Sequence, residues 1–401
     1  MKAKKRWLIT SPQHDFEILF LSKDLLYFCA ASKGGIADYA HYQCDALAAA
    51  GVSVVMLCPL DYPYASDKYQ QIRSLRRRRQ SRKYRTINQL STGWAILSDI
   101  LVLNQVIMKS SCSKVIFATY FEYLAPFWAW SLRRHSRAGV SFAAILHDPV
   151  RDYVVGPFWW HRLSIRQAYS FLDVVFSHSE IELPSQKISS PPATYTLPHG
   201  PYPTIRPSER AEQFRTRLGI PGQAKLLLSF GHLRDNKNLD LVIQAMKDVP
   251  DAHLLVAGSE APIGQLPSSG YKQMAAGVGV ASRCHWLIGY QDNTALANCF
   301  SCSDIVLVTY ASSFKSASGV LSVAASYERP ILASCGGGPL EDALRHYDIG
   351  KLISPESVTD IIHGLLSLTE RGDYHYEWEA YRRDNSWEKN ASICHSTFIA
   401  N

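Results

Sequence analysis

Lys225 to Leu239 reads KLLLSFGHLRDNKNL, and the architecture of the whole chain turns on it. The apolar run Leu226, Leu227, Leu228 continues through Ser229 and Phe230 and halts at Gly231, the pattern of a buried parallel strand that ends in a glycine turn. Arg234 and Lys237 lie in that turn, directly ahead of the apolar positions Leu239, Leu241, Val242, Ala245 and Met246 of a helix. A guanidinium fork, an ammonium and a helix start at one point suit a diphosphate. A solvated basic turn has the same composition, so the stretch is read together with two others.

The first of these, Asp24 to Pro59, reads as strand, Gly34-Gly35 loop, helix with Tyr39, Tyr42 and Leu47 on one side, a stop at Gly51 and a second strand. The second is Ile305 to Leu344. There the strand IVLVTY leads through Lys315 to Gly319 into an apolar helix, then to PILASC and GGGPLEDAL. Strand and helix patterns alternate along most of the chain, and the short, nearly continuous apolar strands fit a parallel sheet covered on both faces. The segment Gly200 to Gln223 contains Pro201, Pro203, Pro207 and Pro221 and reads as a linker. The expected fold is α/β: two facing Rossmann-like, doubly wound domains over residues 1–200 and 201–375 with a cleft between them. A final helix, in 376–401, crosses back to the first domain.

Bulk properties agree with a globular chain. Its 401 residues suffice for two domains, and 47% hydrophobic with 19% charged residues excludes disordered and fibrous classes. Nine scattered cysteines without a secretory signal read as reduced thiols. The Cys299 and Cys302 pair lacks the second pair a zinc site needs, so no metal is expected. No apolar stretch reaches the roughly 18 residues of a spanning helix, because Asp99, Asn104 and Gln105 interrupt Trp94 to Met108. A cytoplasmic protein, or one lying on the inner membrane face, is expected. The formal charge is +7, and Lys68 to Arg85 carries nine basic residues, Arg76, Arg77, Arg78 and Arg79 among them, with no acid. Such a run is a solvated face or meets an anionic surface; with no recognised nucleic-acid module beside it, nucleic acid is not an expected partner. GxGxxG is absent, which disfavours a nicotinamide enzyme.

Taken together, Gly34-Gly35, His147-Asp148 at the end of SFAAILHDP, LPHG at Leu197 to Gly200, FGHLRDNKN at Phe230 to Asn238, SASGVLSVAASYERPILAS at Ser316 to Ser334, GGPLE at Gly337 to Glu341 and SWEKNA at Ser386 to Ala391 resemble the family 4 retaining glycosyltransferases of the GT-B fold. The resemblance implies transfer of a hexose from a nucleoside diphosphate sugar such as a UDP-sugar to a glycan or lipid-linked acceptor, as in polysaccharide biosynthesis, without metal or cofactor. It places His147 over the reacting sugar and Arg234 and Lys237 on the departing diphosphate. Gly34, Gly35, Gly231, Ser316, Ser318, Gly319 and Val320 join the donor site, with Asp148 and the Arg76 to Arg79 run on the acceptor or membrane side. His147 otherwise caps its strand end; His178 and His199 read as packing or linker residues, and Asp148 as a turn cap. Aligned on Pro330, Lys315 and Val323 stand where the family has two glutamates. A non-catalytic sugar-nucleotide or partner-binding protein and a sugar-nucleotide epimerase therefore stay open as alternatives.

Overall fold

A computed structural model describes residues 24–76, 85–122, 124–147, 157–180, 191–260, 264–370 and 375–400, with 85–90 described by their backbone alone. The N-terminal half runs Leu25–Phe28 (β1), Gly35–Ala49 (α1), Val54–Pro59 (β2), Gln70–Leu75 (β3), Arg85–Lys109 (α2), Lys114–Phe117 (β4), Ala125–Arg137 (α3), Ser141–Leu146 (β5), Phe158–Ala168 (α4), Val174–Ser177 (β6) and Ala193–Thr196 (β7). Its seven strands form one sheet in the order β3-β2-β1-β4-β5-β6-β7, with every pairing parallel. β1 (LLYF) and β2 (VVMLCP) are buried along their whole length, as expected of strands covered on both faces. Leu26, Phe28 and Phe117 pack on one face under α2, α3 and α4; Leu25, Tyr27 and Met56 pack on the other under α1.

The C-terminal half runs Ala211–Arg217 (α5), Lys225–Phe230 (β8), Leu239–Ala245 (α6), Ala252–Gly258 (β9), Ser268–Val278 (α7), Cys284–Ile288 (β10), Asn293–Cys302 (α8), Ile305–Thr309 (β11), Gly319–Tyr327 (α9), Ile331–Ser334 (β12), Pro339–His346 (α10), Gly350–Leu352 (β13) and Val358–Glu370 (α11). Its six parallel strands are ordered β10-β9-β8-β11-β12-β13. Two doubly wound parallel sheets are thus present.

Three elements differ from the sequence reading. β3 lies inside the basic stretch. Pairing with β2 half-buries it, and the Arg73 guanidinium donates to the carbonyls of Tyr62 and Tyr64 at 3.0 and 2.5 Å. The Pro-rich segment ends in α5, which is anchored to the second sheet through Arg215, bonded to Asp304 at 2.6 Å. The expected last helix is two helices, Trp378–Asp384 (α12) and Trp387–Cys394 (α13). Trp378 and Tyr381 of α12 belong to the core of the C-terminal half, whereas Trp387, Ala391 and Cys394 of α13 pack into the N-terminal core beside Tyr39 and Leu47. The break falls at Asn385-Ser386, where the Ser386 hydroxyl caps α13 by accepting from Lys389 N.

A buried polar cluster fixes α13. Asn390 Nδ2 donates to the Tyr39 hydroxyl and to the Pro198 carbonyl, both at 2.8 Å, while its Oδ1 accepts from Gln43 Nε2 at 2.7 Å; Gln43 Oε1 in turn accepts from the Tyr27 hydroxyl at 2.5 Å. Trp387 Nε1 donates to Pro201 O at 2.8 Å, and a Cβ on Gly200 would sit 2.5 Å from the Trp387 ring. Asn390→Ala leaves several buried partners unsatisfied and is expected to cost about 3 kcal/mol, read as a lower urea midpoint with an unchanged slope.

All nine cysteines are free and buried. Burial pushes the Cys299 and Cys302 thiols up to about 12, so both are inert core groups.

Candidate functional site

In the second sheet β8 and β11 are neighbours, and the chain leaves them in opposite directions, to β9 on one side and β12 on the other. Such a point opens a crevice at the carboxyl ends of the strands, where open α/β sheets take ligands. The turn after β8 and the loop after β11 form its two walls and are stitched together: Ala311 N donates to Asn236 O at 2.8 Å and the Thr309 hydroxyl to Lys237 O at 3.0 Å. The turn that carries Arg234 and Lys237 is thereby held against the loop that leads to Ser318.

Gly231 adopts φ +98°, a conformation that favours glycine, and a Cβ there would lie 3.2 Å from Lys237 Nζ. The Lys237 ammonium donates to Phe230 O at 2.5 Å; burial, and then the neighbouring Arg234 charge, push its pKa down to about 8. Arg234 itself is exposed. His232 beside it is held below its ordinary value by burial first, then by Arg234, Lys237 and, from the loop after β1, Lys33. Cationic groups from both halves thus converge on one place. The residues after Arg234 form a turn ahead of the helix, as the sequence predicts: Asp235–Lys237 make a single 3₁₀ turn, Asn238 is left-handed at φ 51°, and α6 begins at Leu239.

α9 supplies the helix start. The Ser318 hydroxyl accepts from Leu321 N at 3.4 Å and lies 3.3 Å from the Tyr310 hydroxyl, while Gly319 is exposed and Ser316 and Val320 are half-buried. The glycine triplet after β12 packs the loop in place. Gly336 N donates to Phe314 O at 3.0 Å, and a Cβ on Gly336 would fall 1.6 Å from Ser312 O. Lys315 is exposed and Val323 is buried in the core of the second half; Glu341 pairs with Arg345 at 2.7 Å.

On the opposing half, Gly34 ends the loop after β1 and Gly35 opens α1, both exposed, with Gly34 at φ +80° and open space where its Cβ would be. His147 follows β5 and His178 follows β6. Because Leu146 pairs with Ser177 in register, the two imidazoles come side by side. His178 Nδ1 donates to Leu197 O at 3.1 Å, so its Nε2 accepts from His147 Nδ1 at 3.2 Å, which leaves His147 Nε2 as a buried acceptor without a hydrogen bond. His199 completes the group: Tyr39 lies 4.7, 5.3 and 5.2 Å from the rings of His147, His178 and His199, and His199 Nδ1 meets the Ser322 hydroxyl of α9 at 2.9 Å. His178 and His199, read from sequence as packing or linker residues, therefore join His147 and reach the donor-side helix. Their signal in the sequence was position alone, each standing just beyond the carboxyl end of a strand.

Burial keeps the three rings neutral: His147 lies well below its usual value, His178 at about 4 and His199 at about 3. The unfolded chain protonates near pH 6.5 and the folded chain does not, so stability is full above that pH and falls as pH drops toward 4. Moving from pH 7 to pH 5 is expected to cost about 2 kcal/mol for each of His178 and His199. Urea midpoints at the two pH values test this, with His178→Gln flattening the dependence.

Asp148, Arg77, Arg78 and Arg79 lie outside the described residues. Arg76 is exposed at the end of the edge strand β3, its N–H bonded to the Asp99 carboxylate at 3.1 Å. Four strand spacings separate β3 from β5, roughly 19 Å, so Arg76 is not brought to His147.

Residues 34–183 match the glycosyl transferase 4-like domain, and residues 210–385 match the glycosyl transferases group 1 family. A D-inositol 3-phosphate glycosyltransferase of Mycobacterium marinum is 32% identical over 167 residues, 40% of this chain and 34% of the relative. The matched stretch thus spans about a third of the length of that relative. Among solved structures, sucrose-phosphate synthase from Thermosynechococcus elongatus superposes with a TM-score of 0.64 at 16% identity, covering 93% of this chain and 94% of that one. Anabaena Alr3699/HepE in complex with UDP-glucose gives 0.58 at 13% identity, covering 94% and 96%. At these identities the likeness speaks to the fold.

Proposed function

The chain belongs to the glycosyltransferases of GT-B type, with a glycosyl transferase 4-like domain followed by a glycosyl transferases group 1 domain, and from that premise we propose that it transfers a hexose, with retention, from a nucleoside diphosphate sugar to a glycan or lipid-linked acceptor. One observation carries the reading: Arg234, Lys237 and the start of α9 share one crevice, with Lys33 near His232 from the other half. The solved complex of Anabaena Alr3699/HepE with UDP-glucose supports a UDP-sugar as the first donor to try.

In the proposed reaction the diphosphate sits between Arg234, Lys237 and the Gly319 helix start, and the bond from sugar C1 to the phosphate oxygen breaks as negative charge collects there. Fixed positive groups stabilise that charge in place, without reorganisation. The acceptor hydroxyl forms its bond to C1 from the same face, and its proton passes to the departing phosphate oxygen. His147 Nε2, held as an acceptor by His178, takes a hydrogen bond from a sugar hydroxyl. No metal and no cofactor enters this scheme. Val323 offers the ribose no polar group, so ribose recognition falls to the loop backbone. Nine buried thiols support a cytoplasmic location.

Release of free nucleoside diphosphate that depends on an added acceptor tests the proposal. Donor binding without release under any acceptor would leave a binding protein, and interconversion of the donor sugar without acceptor would make it an epimerase. Screening UDP-, GDP-, ADP- and dTDP-sugars by thermal shift selects the donor, since a ligand of the folded state raises the melting temperature.

A further inference from the structure

His232 stands inside the candidate donor crevice without a part in the proposed reaction. Leu233 next to it forms a parallel bridge to Glu260 and is buried in the core of the second half, while His232 and Arg234 on either side of Leu233 are exposed. That is the alternation of extended backbone. Both side chains therefore leave the chain on the same side, from Cα atoms about 6.6 Å apart. Lys237 completes the group. Its Nζ lies 3.2 Å from where a Cβ on Gly231 would be, one residue before His232, and His232, Arg234 and Lys237 line one hollow at the end of β8.

Among the described residues, the charges that act on this imidazole share one sign. Partial burial first, then Arg234 and Lys237 from its own turn and Lys33 from the loop after β1, oppose its protonation; the Ser259 carbonyl, in the loop after β9, works the other way. The carboxylates of the two neighbouring loops are engaged elsewhere. Asp235 accepts from Leu266 N at 2.9 Å and from the Tyr271 hydroxyl at 3.2 Å, and Glu260 accepts from Ser268 N at 3.1 Å and from the Ser268 hydroxyl at 2.5 Å. While the crevice is empty, His232 is thus mostly neutral at pH 7. A diphosphate reverses the field at the ring and favours the charged form. A permanent cation here would add repulsion to an empty site that already holds Arg234 and Lys237, whereas an imidazole adds its charge only when an anion is there to meet it.

From this arrangement we infer that His232 is a third ligand of the diphosphate. It takes one proton from solvent as the sugar nucleotide binds, donates a ring N–H to a phosphate oxygen, and returns the proton when the nucleoside diphosphate leaves. Donor binding is thereby coupled to pH between about pH 6 and 7, below the range in which Lys237 loses its charge. The inference rests on the transferase reading in one respect, that a diphosphate occupies this turn.

Calorimetry of the full chain with a sugar nucleotide tests it, because the phosphates of a sugar nucleotide do not themselves titrate near neutral pH. Whichever of UDP-, GDP-, ADP- and dTDP-glucose gives the largest thermal shift is titrated at pH 6.5 in two buffers of different ionisation enthalpy. Uptake of at least about half a proton per site is expected, and with it an affinity about fivefold higher at pH 6 than at pH 7. His232→Gln keeps a neutral hydrogen-bond donor at this exposed position and should abolish both the uptake and the pH step. His232→Arg, with a permanent charge, should abolish them too while binding at pH 7 at least as tightly as the unaltered chain. Binding without proton uptake, or uptake that survives His232→Gln, would overturn the inference and leave the transferase reading standing. If none of the four sugar nucleotides binds, the transferase reading fails, and this inference with it.

Discussion

Arg234→Ala is expected to lower kcat/KM for sugar transfer about a hundred- to a thousand-fold, the loss usual when one fixed donor to a developing anion is removed. The side chain is exposed at the mouth of the β8–β11 crevice, so the substitution leaves the fold intact. Affinity for nucleoside diphosphate should fall by about ten- to a hundredfold, the range for a lost charge-assisted bond, as read by calorimetry. An unchanged affinity would remove Arg234 from the diphosphate site. Lys237 adds a pH signature. With its ammonium pushed down to about 8, the unliganded side chain loses its charge above that pH. A diphosphate that needs the charge must then bind together with a proton, so the dissociation constant rises about tenfold for each pH unit above 8. Below pH 8 that contribution is flat, and Lys237→Ala abolishes the rise.

The second large effect is expected from a residue that touches no ligand. Gly336→Ala places a methyl group 1.6 Å from the Ser312 carbonyl oxygen, a backbone atom that Glu356 holds in position by accepting from Ser312 N at 2.8 Å. The loop after β11 must move, and it carries Ser316, Ser318 and the start of α9. A misplacement of about 1 Å costs on the order of a hundredfold in an oriented site, while the overlap itself costs about 3 kcal/mol of stability. Calorimetry with the nucleotide and a urea titration separate the two losses. Full activity in this variant would mean that the loop position is irrelevant to catalysis.

How much of this was legible beforehand depends on the kind of interaction. KLLLSFG announces strand and turn because burial and glycine chemistry are local, and the alternation of such units announces two doubly wound sheets. That β8 lies beside β11, which makes a crevice of two separate loops, is a matter of sheet order, and no local pattern encodes it. The sequence places His178 and His199 at strand ends and reads them as packing or linker residues, but does not show their neighbours, for the same reason. They acquire meaning only from the register of β5 on β6 and from α9 reaching over to His199. β3 was hidden because QQIRSL has no apolar run and is stabilised as an edge by its backbone partner. The break before α13 has a local sign, Ser386 as a helix cap, whereas Tyr376 to Ile393 reads from the sequence as one helix.

Asn390 and Trp387 close the core of the half that is synthesised first. The Pro198 carbonyl waits for a partner that leaves the ribosome 192 residues later, and Gln43 and Tyr39 wait 347 and 351 residues, so that half has to pass through translation with an open seam. A nascent chain stalled before α13 should expose that seam to proteases and chaperones, and the first half closes only when α13 is released.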